Sequence, residues 1–156
     1  MTREDRGVIA DWVVLISAVL LFGSLFLSWS RLSRTYLTIA NQLQTLQGVP
    51  RSPTAWQVYS AADIVLALLA AALIVIALVG SKRGQIGALL AAVLALVFTI
   101  HAVSVPPTNG AANAFQPSLD VPTYVAPSPT PGPGETVAAI ALLAAIAGLG
   151  VSLTTD

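Results

Sequence analysis

The stretch SAADIVLALLAAALIVIALVGSKRGQIGALLAAVLALVFTIHAVS, residues 60–104, decides how this chain is read. It holds two apolar runs, 61–80 and 85–104, joined by the short basic connection 81–84. At ~1.5 Å per residue, a run of that length spans roughly 28–30 Å as a helix, the thickness of a bilayer core. Working outward, a third run covers 12–30 and a fourth covers 135–153. A buried helix of a soluble protein is usually shorter, so four such runs in one short chain predict four transmembrane helices.

Composition agrees. Of 156 residues, 56% are hydrophobic and 9% are charged. A soluble domain carries about 25% charged residues, so an ordinary soluble enzyme and a disordered tail are both excluded. The seven basic side chains balance the seven acidic ones, which gives no reason to expect nucleic-acid binding. There are no cysteines, which excludes disulfides and thiolate chemistry. With a single histidine, His101, no multi-histidine metal site can form within the chain. No metal or cofactor is expected. The start MTREDRG mixes its charges, and the run after it exceeds the ~7–15 residues of a signal core, so it reads as an uncleaved first helix.

The fold class that follows is all-α: an integral membrane four-helix bundle in one domain spanning 1–156. Two segments, 31–60 and 105–134, lie outside the bundle on one side. In the first, Leu32, Tyr36, Ile39, Leu43 and Leu46 recur at three- and four-residue steps among polar residues, and Gly48 and Pro50 follow. That pattern predicts an extracytoplasmic amphipathic helix. Its apolar face is either a docking surface or the underside of a lid on its own bundle. The second segment begins Pro106-Pro107 and ends APSPTPGPGE, which predicts a Pro-rich outer loop. Glu135 then opens the last helix, where an acidic residue suits the positive end of the helix dipole. That helix is rich in small residues, and Ala144 and Gly148 are spaced for close helix packing, a spacing that an Ala-rich helix also produces by chance.

Four spans put both termini on one face, together with Arg3, Arg6, Lys82 and Arg83, against Arg31, Arg34 and Arg51 on the other. The short 81–84 connection weighs most, and 105–134 contains no Lys or Arg. Both termini are therefore expected in the cytoplasm, with the protein in the plasma membrane. Trp29, Tyr36, Trp56 and Tyr59 then cluster at the outer boundary and Trp12 at the inner one, as an aromatic belt does.

Ionisable residues inside spans are functional hypotheses. Asp63 lies just inside the second span and His101 just before the end of the third, each 19 residues from Lys82. They are therefore expected at similar depth. A proton or ligand site, an interhelical hydrogen bond, and two groups facing interfacial water are all compatible with that placement. With Trp56 and Arg34 they mark a speculative ligand-binding set. No nucleophile–base–orienter arrangement is visible, so a catalytic role is not expected.

The stretches LFLSWSRLS, 25–33, and TAWQVYSAADIVLALLAAALIVIAL, 54–78, resemble a loose group of small four-span membrane proteins of actinobacteria. Trp29 stands for the tryptophan that ends the first helix, Trp56 and Tyr59 for the Trp-x-x-aromatic motif, and Asp63 for the acid that enters the second helix. His101 through Pro106-Pro107 matches the end of the third helix before a Pro-rich loop. The resemblance implies a four-helix membrane bundle and carries no activity.

The leading expectation is a non-enzymatic structural or accessory subunit. It would bind the lipid bilayer and another membrane protein, or a second copy of itself, through the fourth helix or the face of Leu32, Tyr36, Ile39, Leu43 and Leu46. The alternative is a small-molecule or lipid binding or transport protein, with its pocket near Asp63 and His101.

Overall fold

Backbone amides have no water to bond within a bilayer, so an apolar run of this length must satisfy them internally as a helix. Alanine and leucine, which dominate here, also carry the best helix propensity. A computed structural model of the chain describes residues 3–31, 52, 54–58, 60–104 and 130–155. All four apolar runs are helices in it: α1 (Arg3–Ser24), α3 (Ser60–Val79), α4 (Lys82–Ser104) and α5 (Pro133–Thr155). A short α2 (Ala55–Val58) precedes α3, and two short strands, β1 (Ser30–Arg31) and β2 (Thr130–Pro131), form one antiparallel ladder.

The four long helices close into a ring. α1 packs most extensively on α5, α5 also on α4, and α1 also on α3, while α3 and α4 make the sparsest of these interfaces. The buried positions recur at helical spacing: Val14, Ala18 and Leu21 on α1, Leu66, Ala70 and Leu73 on α3, Ala88 and Ala92 on α4, and Ala138, Ala141, Ala145 and Leu149 on α5. The outer surface is as apolar as the core. Leu78 and Val79 are 72% exposed, Leu94 71%, and Trp12 60%. A soluble protein does not present hydrophobic side chains all round its surface, whereas hydrocarbon accepts them. Each of the four helices is long and apolar enough to cross a membrane, and the chain is a small multi-pass membrane protein by that measure.

The helix limits refine the expected spans. The first run was expected over 12–30, but α1 begins at Arg3 and ends at Ser24. Beyond it the chain turns through bonds from Leu25 N to Phe22 O and from Phe26 N to Gly23 O, both 3.2 Å. Hydropathy does not separate a membrane helix from an apolar turn folded beneath the same bundle, which is why the two look continuous in the sequence. The α3–α4 connection follows local rules closely. Gly80, with φ 66°, ends α3 in the left-handed conformation that glycine adopts freely. The Ser81 hydroxyl then accepts the Gly84 amide at 3.2 Å and caps α4.

The small residues of the fourth span, expected either to serve close helix packing or to be spaced by chance, meet α1 at Gly148. A Cβ at Gly148 would come within 2.9 Å of Val14 Cγ2 and 3.1 Å of the Ala10 carbonyl, so this glycine lets α1 and α5 approach each other closely. The amphipathic face of Leu32, Tyr36, Ile39, Leu43 and Leu46 lies outside the described residues, as does the Pro-rich segment up to residue 129.

Candidate functional site

At the end of the bundle away from the α3–α4 turn, three chain segments fold over the helix ends. Trp29 is fully buried and donates its indole N–H to the Ser24 carbonyl at 2.9 Å, tying the turn back to the end of α1. Its own carbonyl accepts the Gly132 amide, and the Ser28 carbonyl accepts the Gly134 amide, each at 2.9 Å. The β1–β2 ladder pairs Ser30 with Pro131 and Arg31 with Thr130, and a single bridge joins Ser28 to Thr54. Both outer segments are thus pinned where they leave the bundle. Gly134 is required here, because a Cβ would press on the Trp29 ring.

Two carboxylates are sealed under this cap. Asp63 in the first turn of α3 and Glu135 in the first turn of α5 are both completely buried. Neither reaches a hydrogen-bond partner among the described residues, and the buried Ser30 hydroxyl is also unpartnered. Glu135 stands where a capping carboxylate reaches back to the amide preceding the helix. The Gly132 backbone is indeed beside it, but that amide is donated to Trp29 and the capping bond is left incomplete. Pro133 at the first helical position lacks an amide and offers nothing in its place.

The relative depth of the two acids follows from the packing. At the opposite end of the bundle, Gln85 Nε2 donates to Ser152 Oγ at 2.9 Å, with both side chains buried. Counting equal steps from that bond along the antiparallel α4–α5 pair sets Glu135 level with Ala102, and counting from the α3–α4 turn sets Asp63 between Phe98 and His101. The acids therefore lie within about one helical turn of each other in depth. They occupy α3 and α5, which face each other diagonally across the ring. The buried Thr99 hydroxyl at this level is satisfied internally, donating to Ala95 O at 2.8 Å.

The residues expected to form a ligand set are separated by this arrangement. Asp63 is interior, whereas His101 is exposed on α4, and no hydrogen bond joins them. Similar depth is not sufficient for contact: the two residues occupy different faces of their helices. Trp56 is 38% exposed and packs its ring at 6.2 Å from Phe26. Arg34 lies outside the described residues. Sequence reasoning missed Glu135 as a buried acid, because its place at a helix start already explained it. It also missed the Gln85–Ser152 bond. For that bond a signal was present: one amide in the first turn of α4 and one hydroxyl in the last turn of α5.

Chemically, this end holds buried, unpartnered oxygen atoms of Asp63, Glu135 and Ser30, with no nucleophile and base in contact among the described residues. Among the described residues, no group of three His, Cys, Asp or Glu side chains converges.

A second feature lies on the outer wall. α3 and α4 leave an apolar groove of 340 Å³ between them, lined by the buried Leu66 and Leu69 and by Ala62, Ala91, Leu94 and Phe98. Leu94 at its edge is strongly exposed, so the groove opens toward the membrane.

No protein family, curated protein or solved structure matches the chain.

Proposed function

We propose that this protein is a non-enzymatic accessory subunit of a membrane assembly, docked along its α3–α4 groove to one transmembrane helix of another membrane protein. The observation that carries this reading is the groove itself. Helices in lipid associate through close packing where small residues admit a backbone, and Ala62, Ala91 and Ala95 are such residues along this groove. The α1–α3 and α1–α5 seams also carry grooves, but each has a charged residue in its lining, Asp11 or Arg6, whereas the described lining of the α3–α4 groove is wholly apolar. In this reading the protein sits in the plasma membrane with both termini and the Lys82–Arg83 turn in the cytoplasm, and the positive-inside rule supports that placement. Kinship with the small four-span proteins of actinobacteria belongs to the same proposal.

The test is purification of the tagged full chain in native nanodiscs, quantified by mass spectrometry, beside an Ala91→Trp variant that fills the groove. The expected result is one membrane protein at near-equal amount with the wild type, reduced about tenfold by Ala91→Trp, as ~1.4 kcal/mol of lost packing gives. A partner unaffected by Ala91→Trp would contradict the groove as its seat.

A second reading rests on a separate observation. The unpartnered Asp63 and Glu135 favour a small-molecule or lipid site at the Trp29 end. A chain that purifies alone with a retained small molecule, released by Glu135→Gln, would replace the subunit reading with this one.

A further inference from the structure

α1 and α5 are the most extensively packed pair, and their outer surface at the Arg6 end carries a groove of 200 Å³. The buried Ala10 and Gly148 lie at its base, where their small size leaves the space between the helices unfilled on the outside. Ile9, Val13 and Ala147 also line it. Ile9 is 49% exposed, so the groove opens outward to the surrounding lipid.

What distinguishes this groove from the one between α3 and α4 is its mouth. Arg6, an exposed residue one turn before Ile9 and Ala10, lines it and is the one charged side chain among its described lining residues. Among its described lining residues the α3–α4 groove has no charge. Arginine near a helix end extends toward the headgroup layer, keeping its stem on apolar surface. A guanidinium there presents paired N–H donors matched to phosphate oxygens. Basic residues at the rim of a cleft between membrane helices are the recognition element for anionic headgroups.

We propose that this groove is a lipid site: one acyl chain of an anionic phospholipid lies against Ala10 and Gly148 while its headgroup phosphate pairs with Arg6. The juxtaposition of a charge and an aliphatic slot one turn apart is what a phospholipid offers in complement, a phosphate directly above a hydrocarbon chain.

The experiment reads the lipids retained by the full chain when it is ejected from nanodiscs of equal phosphatidylglycerol and phosphatidylcholine into a mass spectrometer. The wild type is expected to retain phosphatidylglycerol about fivefold over phosphatidylcholine, the effect of one basic residue near an anionic surface. Arg6→Gln is expected to abolish the preference. So is Ala147→Trp, which fills the slot from an exposed position without touching the Gly148 contact. Lys82→Gln, an exposed charge at the same end of the bundle, is expected to leave the preference intact. Equal retention by the wild type, persistence of the preference in Arg6→Gln, or its loss in Lys82→Gln would each overturn the proposal.

Discussion

Glu135 shows how much a single position can conceal. An acid at the start of a helix is favoured by the helix dipole, and the sequence offers no reason to look further. Its burial comes from Trp29, more than a hundred residues earlier, whose ring settles over Gly134. A long-range contact of that kind leaves no periodicity to read. Asp63 was legible as an intramembrane acid, because one charge in an otherwise apolar run stands out, but the face it occupies was not. Buried polar groups without partners oppose folding, so replacing them with neutral isosteres carries little penalty. Asp63→Asn and Glu135→Gln are therefore expected to unfold in detergent at temperatures no lower than the wild type. A fall of several degrees in either variant would show that its carboxylate has a partner. Gly148 behaves oppositely. Gly148→Leu must push Val14 and the Ala10 backbone aside, and overpacking of that kind costs about 1–3 kcal/mol. Its thermal midpoint should drop clearly, while Gly150→Ala, which has open space around it, should not move it.

The four helices were legible as elements because their length and apolarity are set by the bilayer, a constraint independent of tertiary contacts. Their ends depend on capping and on the return of the chain, and these the hydropathy did not carry: the run expected to continue to residue 30 stops at Ser24. The α3–α4 turn was legible, with glycine, serine and two basic residues in sequence, but the width of the seam between those helices was not. That width depends on which faces carry alanine. The opposite case is the α4–α5 seam, fastened by Gln85 and Ser152. Interhelical hydrogen bonds in membranes average ~0.6 kcal/mol and reach at most ~1.7 kcal/mol. A double-mutant cycle with Gln85→Leu and Ser152→Ala should yield a coupling energy in that range, measured by unfolding in mixed micelles. Additive effects would mean that the two side chains do not depend on each other.

For the whole molecule, the arrangement is a ring of helices with alanine and leucine inside, large aliphatic residues also outside, and its buried acids near one end. The even number of spans puts residues near Ser81 and Thr154 on one side and Arg31 on the other. Because the chain has no cysteine of its own, this is directly measurable. Ser81→Cys and Thr154→Cys should react with an impermeant maleimide from the same side of sealed vesicles, and Arg31→Cys only from the opposite side. The positive-inside reading further predicts that Arg31→Cys is the one labelled in intact cells.

Docking of another membrane protein's helix in the α3–α4 groove can be read by placing a photo-crosslinking amino acid at Leu94, on the groove's edge, and separately at Leu78, an exposed position away from it, in cells that express the chain at native level. One discrete protein adduct is expected from Leu94 that is missing from Leu78 and disappears when Ala91→Trp is added. Lipid adducts alone from both positions, or the same protein adduct from both, would contradict that docking.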